Sequence, residues 1–216
     1  MKYYPICLNM THRRCLVVGG GKVAERKILR LVDCGAEVTV LGKVLTPAIE
    51  ALKKAGKIEH TNDDYRADYL QNAFLVIGAT DNDEVNKVVA RDAMGKGILT
   101  NVVDDPDHCD FILPSIYEQK ELLIAISTGG KSPALARKLR MEMEGIYGPE
   151  YGIFLEIMGE IRERILARGH RPQENKNIFE ALVHSDMIKH IKEKNWDRLR
   201  GLVRDIYGED IELGEW

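Results

Sequence analysis

The feature that most constrains the fold of this chain is a glycine-rich turn between a short apolar segment and a helical pattern. Residues 15–18 are apolar, glycines occupy positions 19–21, and apolar residues then recur at helical spacing from position 23 to 32. Another β-branched segment follows at residues 37–41. A strand, a glycine turn, a helix and a second strand make a βαβ unit, so the sequence predicts a parallel sheet.

The same alternation continues as far as residue 103. The pattern predicts further strands at 58–61, 74–78 and 98–103, with helices at 47–56 and 81–94. Strands that alternate with helices are typical of a sheet covered by helices on both faces. We therefore expect an α/β fold of the Rossmann-like, doubly wound class.

The pattern changes after Pro106. Two apolar segments, 110–114 and 122–127, lie too close together for an intervening helix, which predicts antiparallel strands or an arm that reaches a second chain. A helix is predicted from Ser132 to Tyr147, and the remaining sequence has helical periodicity. The predicted domains are a dinucleotide-binding domain at 1–113, a small α+β dimerisation segment at 114–148 and a helical domain at 149–216.

Composition narrows the class of protein. With 216 residues, 44% hydrophobic residues and only 7 prolines, the chain is predicted to be globular rather than disordered. No apolar stretch reaches the roughly 18 residues of a membrane span, and no apolar leader begins the chain, so we expect a soluble cytoplasmic protein. The net charge of −3 argues against a nucleic-acid-binding domain, which is usually strongly basic.

The cysteine and histidine pattern predicts no metal site. None of the four cysteines forms a C-x-x-C pair, and the histidines lack convincing ligand spacing. The residues considered were Cys7, Cys15, Cys34, Cys109, His108, His170, His184 and His190.

The glycine turn matches the G-x-G-x-x-A pattern of dinucleotide-binding folds, from Gly19 through Gly21 to Ala24. Such glycines allow a tight turn and a close approach of the backbone to a pyrophosphate, which the helix N-terminus at Lys22 and Val23 would bind. The alternative is a plain glycine turn within the same fold. The acidic residue expected about 20 residues further on is missing. The ribose is therefore expected to contact the backbone near Lys43 and Val44, and the choice between NAD and NADP stays open.

Two further segments follow strands at the same predicted edge of the sheet. Ala79 and Thr80 are small enough to let a cofactor pass close to the backbone, although Thr80 or Asp81 could simply cap a helix. Asn101 and Val102 end the last parallel strand and are predicted to contact the cofactor.

Two acidic residues come directly after that last strand. A carboxylate here could act as a general base, and Asp104 is the predicted catalytic residue. The alternative is a turn carboxylate before Pro106. Asp105 is assigned a structural role.

A second glycine-rich junction begins at residue 127. Residues 122–141 contain four cations and no acidic side chain, so this stretch could receive an anionic small molecule. The alternatives are that the cations lie on an exposed helix face and that Ser132 only caps the helix. The residues predicted to bind substrate are Thr128, Gly129, Lys131, Ser132, Arg137 and Arg140.

These motifs together resemble those of the precorrin-2 dehydrogenase/sirohydrochlorin ferrochelatase family, the dehydrogenase-chelatase half of siroheme synthase. The resemblance covers about residues 1–145. The motifs that carry it are Gly19-Gly20-Gly21-x-Val23-Ala24-x-Arg26-Lys27, Ala79-Thr80-Asp81, Asn101-Val102-Val103-Asp104-x-Pro106, Phe111-Ile112-x-Pro114-Ser115 and Ser127-x-Gly129-Gly130-x-Ser132-Pro133-x-Leu135-Ala136-Arg137.

The resemblance implies an enzyme that oxidises precorrin-2 to sirohydrochlorin with NAD and works as a homodimer. Its key aspartate maps to Asp104, and position 128, where a relative carries serine, keeps a hydroxyl as Thr128. Bifunctional members also insert Fe²⁺ to give siroheme, and the sequence leaves open whether this chain does. The methyltransferase domain of some relatives does not fit in 216 residues, so we expect another protein to supply precorrin-2. An NAD-sensing regulatory module without catalysis is the alternative.

Overall fold

The computed structural model describes residues 2–169 and 172–211. The chain divides into two compact units, Met1–Leu113 and Pro114–Trp216. The predicted division of the second unit at residue 148 stays a prediction.

The first unit is a five-stranded parallel sheet in the order β3-β2-β1-β4-β5. The predicted Rossmann-like fold is confirmed. Its strands are β1 (Arg14–Val18), β2 (Glu37–Leu41), β3 (Glu59–Thr61), β4 (Leu75–Gly78) and β5 (Leu99–Val102), and its helices are α1 (Lys22–Asp33), α2 (Pro47–Lys54) and α3 (Asp83–Met94).

Both faces of the central part of this sheet are buried, which explains why β1, β2 and β4 are mainly apolar, whereas the edge strand β3 is polar. Val17 on one face packs with Ala24 and Ile28 of α1, and all three side chains are fully buried. Leu16 on the other face belongs to the cluster that includes Val89 of α3. The core therefore fixes both faces, and the loops at the carboxyl ends of the strands are positioned by it.

The second unit starts with an antiparallel strand pair, β6 (Ser115–Gln119) and β7 (Leu122–Ile126). Among the described residues of this unit five helices follow: α4 (Pro133–Ile146), α5 (Pro149–Ala167), α6 (Pro172–Val183), α7 (Met187–Lys192) and α8 (Trp196–Tyr207). Ile157, Ile161 and Ile165 recur every four residues along α5 and are almost completely buried in the helical core. No helix of the described residues combines the length and apolar character needed to cross a membrane.

The strand predicted at residues 110–114 is wrong. This segment is held to β5 by isolated bonds instead of a ladder: the Asp110 N–H donates to the Thr100 carbonyl (2.9 Å), and the Asp110 carboxylate accepts from the Thr100 N–H (3.0 Å). The Asp110 side chain thus takes a backbone donor that a neighbouring strand would need. The strand that pairs with β7 comes later, at β6.

Candidate functional site

Two glycines of the turn between β1 and α1 are packed against backbone. A Cβ on Gly19, whose φ is +119°, would lie 2.2 Å from the Ala79 carbonyl oxygen, and a Cβ on Gly20 would lie 2.2 Å from that of Val44. Gly21 differs, because a Cβ there would meet no atom within 4 Å. The first two glycines allow close packing of the backbone, and the third leaves an open side on the turn.

The open side faces the start of a helix. Gly21 precedes α1 and offers no side chain to cap it, so the first N–H groups and the positive end of the helix dipole are available to an anion. Lys22 is paired within this turn, since its Nζ lies 3.1 Å from a Glu25 carboxylate oxygen. Hydrogen bonds from Thr46 and Lys22 lower the pKa of Glu25. The turn therefore fits a pyrophosphate bound mainly by backbone.

The segment after β2 runs along this turn. The Thr46 N–H donates to the Gly20 carbonyl (3.1 Å). Val44, two residues before Thr46, is 80% exposed. Lys43 extends away to the loop after β3, where its Nζ lies 2.7 Å from Oδ1 of Asp64. The backbone of residues 43 and 44 thus borders the turn, as a ribose contact requires.

Thr80 follows β4 and is held by a buried asparagine that the sequence analysis missed. The Thr80 N–H donates to Oδ1 of Asn86 (3.1 Å), and Asn86 Nδ2 donates to the Thr80 carbonyl (3.0 Å). The predicted cap at Thr80 or Asp81 is wrong: Asn82 caps α3. The signal that could have identified Asn86 is a single amide side chain on an otherwise apolar helix face.

Asn101 is the centre of a buried polar network at the end of β5. Its Oδ1 accepts from Lys27 Nζ of α1 (2.8 Å), and its Nδ2 donates to the Phe111 carbonyl (3.0 Å). Burial lowers the pKa of Lys27. The sequence analysis missed the contribution of Lys27, since 74 residues separate the two partners. The network ties α1, β5 and the following segment together.

Cys109 closes the loop that follows β5. The Val102 N–H donates to its Sγ (3.1 Å), and the thiol lies 3.1 Å from the Asp105 carbonyl oxygen. Burial raises the pKa of Cys109. Val102 is itself buried and its N–H and carbonyl both bond Cys109, so the predicted cofactor contact of Val102 stays a prediction.

The first two acidic residues of this loop have different surroundings. Asp104 is exposed and adopts a φ of +61°. The residue before it, Val103, is tied to β4, because its N–H donates to the Gly78 carbonyl (3.0 Å). The Asp105 carboxylate lies 2.9 Å from Nδ1 of His108. Asp105 is therefore engaged within the loop, whereas the Asp104 carboxylate is open to a ligand.

Hydroxyl groups of the junction that precedes α4 in the second unit accept hydrogen bonds from its backbone N–H groups. The Thr128 hydroxyl accepts from the Ser132 N–H (3.1 Å), and the Ser132 hydroxyl accepts from the Leu135 N–H (3.2 Å) as the helix cap. Gly129 and Gly130 have φ of +62° and +81°. Ser132 is thus a cap, as one interpretation of the sequence held.

The predicted substrate-binding cations of this junction fall into two groups. Arg140 forms an ion pair with Glu144 one turn further along α4. Lys131 and Arg137 are exposed, and neither has an ion pair with any residue in the described parts of the chain. Two of the three cations are therefore available to an external anion.

No group of three or more His, Cys, Asp or Glu side chains that could hold a metal occurs among residues 2–169 and 172–211. His170 lies outside the described residues. Cys15 is buried in the sheet, which raises its pKa to about 12 and makes it a packing residue.

Two separate regions of the chain match known protein families. Residues 6–115 match the model of the family described as "Putative NAD(P)-binding", and residues 121–145 match the family described as "Sirohaem biosynthesis protein central". The chain is also similar to curated bacterial proteins. It is 39% identical to siroheme synthase 1 of Aeromonas salmonicida over 87% of this chain and 40% of that protein.

Two other relatives are similar to the same extent. Siroheme synthase of Methylobacillus flagellatus is 40% identical over 87% of this chain and 41% of its own length, and siroheme synthase 1 of Pectobacterium atrosepticum is 41% identical over 84% and 38%. The chain thus spans about two fifths of these relatives. Among solved structures, SirC, a precorrin-2 dehydrogenase, has the same fold, with a TM-score of 0.79, 22% identity, and coverage of 96% of this chain and 100% of that one.

Proposed function

Because the chain belongs to the NAD(P)-binding family whose model spans residues 6–115, we propose that it oxidises precorrin-2 to sirohydrochlorin with NAD as cofactor. One observation carries the proposal. The exposed carboxylate of Asp104 follows Val103, whose N–H donates a hydrogen bond to the Gly78 carbonyl. The residue after Gly78, Ala79, packs against Gly19 of the dinucleotide turn. A base and a dinucleotide turn share one edge of one sheet, where such folds bind ligands.

The cofactor residues have distinct tasks. The turn at Gly21 accepts the pyrophosphate on backbone N–H groups, and the backbone at Lys43 and Val44 borders the ribose. The strand ends at Ala79 and Asn101 line the remainder of the cofactor path, with Lys27 and Asn86 as supports behind them. When bound, NAD supplies the hydride acceptor.

Asp104 acts as the general base. Oxidation of precorrin-2 sends one hydride to the cofactor and releases one proton, so a single base suffices and no covalent nucleophile is needed. The exposed carboxylate of Asp104 can take that proton and pass it to water. The similarity to siroheme synthases supports the tetrapyrrole as substrate.

Cations of the second unit bind the carboxylates of the substrate. Precorrin-2 has eight carboxylates, and Lys131 and Arg137 are the exposed cations of the α4 junction without an ion pair among the described residues. Thr128, Gly129 and Ser132 shape this junction, and Arg140 contributes less because Glu144 already neutralises it.

The protein acts as a homodimer in this proposal. The second unit exposes Leu123 on its two-stranded sheet, and also Leu135, Met141 and Ile146 on α4. A two-stranded sheet is marginal by itself, and exposed apolar side chains of this size are typical of an interface. A second copy that pairs with β6 or β7 would cover them.

Fe²⁺ insertion into sirohydrochlorin is a second reaction at the same edge of the sheet. It must remove two pyrrole protons, and Asp104 is available as an acceptor for both reactions. The similarity to full siroheme synthases supports this step, with Fe²⁺ as substrate.

Purified protein supplied with precorrin-2 and NAD tests the proposal. We expect NADH and sirohydrochlorin to appear in equal amounts, and a metallated product to appear when Fe²⁺ is added. Asp104→Ala should slow oxidation by a factor of about 10² to 10⁴, the usual contribution of a general base, and leave the Kd for NAD nearly unchanged.

Asp105→Ala is the matched control, because the Asp105 carboxylate is occupied by His108 within the loop. We expect a much smaller loss of rate from it. NAD binding without any turnover of precorrin-2 would favour the regulatory alternative. Wild-type single-turnover rates in Asp104→Ala would place the base elsewhere.

A further inference from the structure

A basic residue, Lys43, lies just beyond the end of β2, near the position where an acidic one is expected. In dinucleotide-binding folds an Asp or Glu at this point bonds the 2′-hydroxyl of the ribose, and a nearby basic side chain accommodates a 2′-phosphate. Here β2 ends at Leu41, and Gly42 and Lys43 follow. By itself Lys43 would favour NADP.

Lys43 lies at the dinucleotide turn. A Cβ on Gly42 would lie only 3.3 Å from the Gly20 backbone nitrogen, and the carbonyl of Gly42 is fixed by Nε2 of His60 (2.8 Å). The residue after Gly42 therefore leaves the sheet directly beside the turn, and the Lys43 side chain starts there.

A carboxylate from a neighbouring loop neutralises this lysine. The Nζ of Lys43 lies 2.7 Å from Oδ1 and 2.8 Å from Oδ2 of Asp64, in the loop after β3. Parallel pairing of β2 with β3 brings this loop to the same edge of the sheet. The carboxylate that the β2 sequence lacks is thus supplied by the next strand connection.

The loop is anchored independently of Lys43. Asp63 accepts a hydrogen bond from the Asp64 N–H (2.8 Å) and another from the Tyr69 hydroxyl (2.7 Å), and Arg66 lies 2.8 Å from it. The Tyr69 hydrogen bond is the main reason why the pKa of Asp63 is lowered. Asp64 is therefore presented by an ordered turn.

We propose that Asp64 takes the place of the missing acidic residue and, through Lys43, selects NAD over NADP. This inference rests on the proposed dinucleotide site. The neutral 2′-hydroxyl of NAD can donate a hydrogen bond to a carboxylate. The 2′-phosphate of NADP is repelled by the Asp64 charge and finds Lys43 already paired.

The Lys43–Asp64 pair is open to solvent, so it can influence which dinucleotide binds while contributing little to the stability of the fold. The side chains of Lys43 and Asp64 are 62% and 81% exposed, and such surface pairs contribute little to folding. A change at Asp64 should therefore change cofactor preference without unfolding the protein. Removal of its charge frees Lys43 for a 2′-phosphate.

The test is calorimetric titration of the full chain with NAD⁺ and with NADP⁺. Four variants are compared with wild type: Asp64→Asn, Lys43→Gln, the double variant, and Asp68→Asn as a control for the loss of one exposed negative charge nearby. We expect wild type to prefer NAD⁺ and Asp64→Asn to move the ratio of the two Kd values at least tenfold toward NADP⁺. The double variant should lose this gain, because it depends on Lys43.

Three results would overturn the inference: a wild-type preference for NADP⁺, a ratio that moves less than twofold in Asp64→Asn, or an equal shift in Asp68→Asn. Each leaves the dinucleotide site intact, because binding is still measured. Absence of binding of both dinucleotides to every protein would instead refute the proposed site, and the selectivity of Asp64 with it.

Discussion

The two glycine-rich junctions of this chain precede helices in the same way, yet their helix N-termini are satisfied differently. At the first, Gly19 and Gly20 are packed on backbone and no side chain of Gly21 caps α1. At the second, Cβ atoms on Gly129 and Gly130 would meet nothing within 4 Å, and a serine hydroxyl caps α4. Glycine content therefore does not itself indicate an anion site. In the proposed function the first junction binds an anion through backbone N–H groups, and the second binds anions through Lys131 and Arg137.

The largest effect on stability should come from Gly19→Ala. The added methyl group would overlap the Ala79 carbonyl, and a φ of +119° is strained for alanine. Together these cost about 3 kcal/mol or more in free energy of unfolding, measured by urea denaturation.

Gly129→Ala is the control for Gly19→Ala. It has open space, so it should cost only the strain of a positive φ, about 1 to 2 kcal/mol. Equal losses from both variants would remove the structural distinction between the two junctions.

An intermediate effect is expected from loss of the unpaired cations of the second junction. Lys131→Gln combined with Arg137→Gln should raise the KM for precorrin-2 about tenfold or more and leave the Kd for NAD unchanged, because the proposed function assigns the two ligands to different junctions. Steady-state kinetics at several salt concentrations measures this effect.

Lys138→Gln is the matched variant, since Lys138 already pairs with Glu142 at 3.6 Å. It should change the KM much less. A double variant that weakens NAD binding as strongly as substrate binding would contradict the division of tasks.

The smallest effect concerns the helix cap. Ser132→Ala removes the hydroxyl that accepts the Leu135 N–H, which should cost about 1 kcal/mol of unfolding free energy. Thermal unfolding followed by circular dichroism measures it. An unchanged unfolding temperature would mean that α4 starts without side-chain help, as α1 does.

Local patterns predicted the parallel sheet because its central strands β2, β1 and β4 are short, mainly apolar and bounded by turn signals. They failed where a side-chain hydrogen bond takes the place of backbone pairing between two strands. Residues 110–114 have a β-like composition, but Asp110 uses its carboxylate to bind the Thr100 N–H. Strand β6 contains the polar residues Glu118 and Gln119, so its composition indicates a strand only weakly, although it forms one half of the hairpin.

The contacts that support the site are not evident from the sequence for a related reason. Lys27 of α1 contacts Asn101 of β5, and Lys43 after β2 contacts Asp64 after β3, so these partners lie 74 and 21 residues apart. No spacing rule joins them, because the sheet order creates the contact. The glycine turn was predictable since its requirement is local to the backbone.

Calorimetric titration of Gly21→Asp with NAD⁺, alongside its thermal unfolding, tests the claim that backbone at the first junction holds the dinucleotide. A Cβ at position 21 would meet no atom within 4 Å, and aspartate is a favourable helix cap, so the unfolding temperature should be unchanged or higher. The carboxylate would occupy the place of the pyrophosphate, so we predict loss of measurable NAD⁺ binding. A folded Gly21→Asp protein that binds NAD⁺ with the wild-type Kd would contradict the claim.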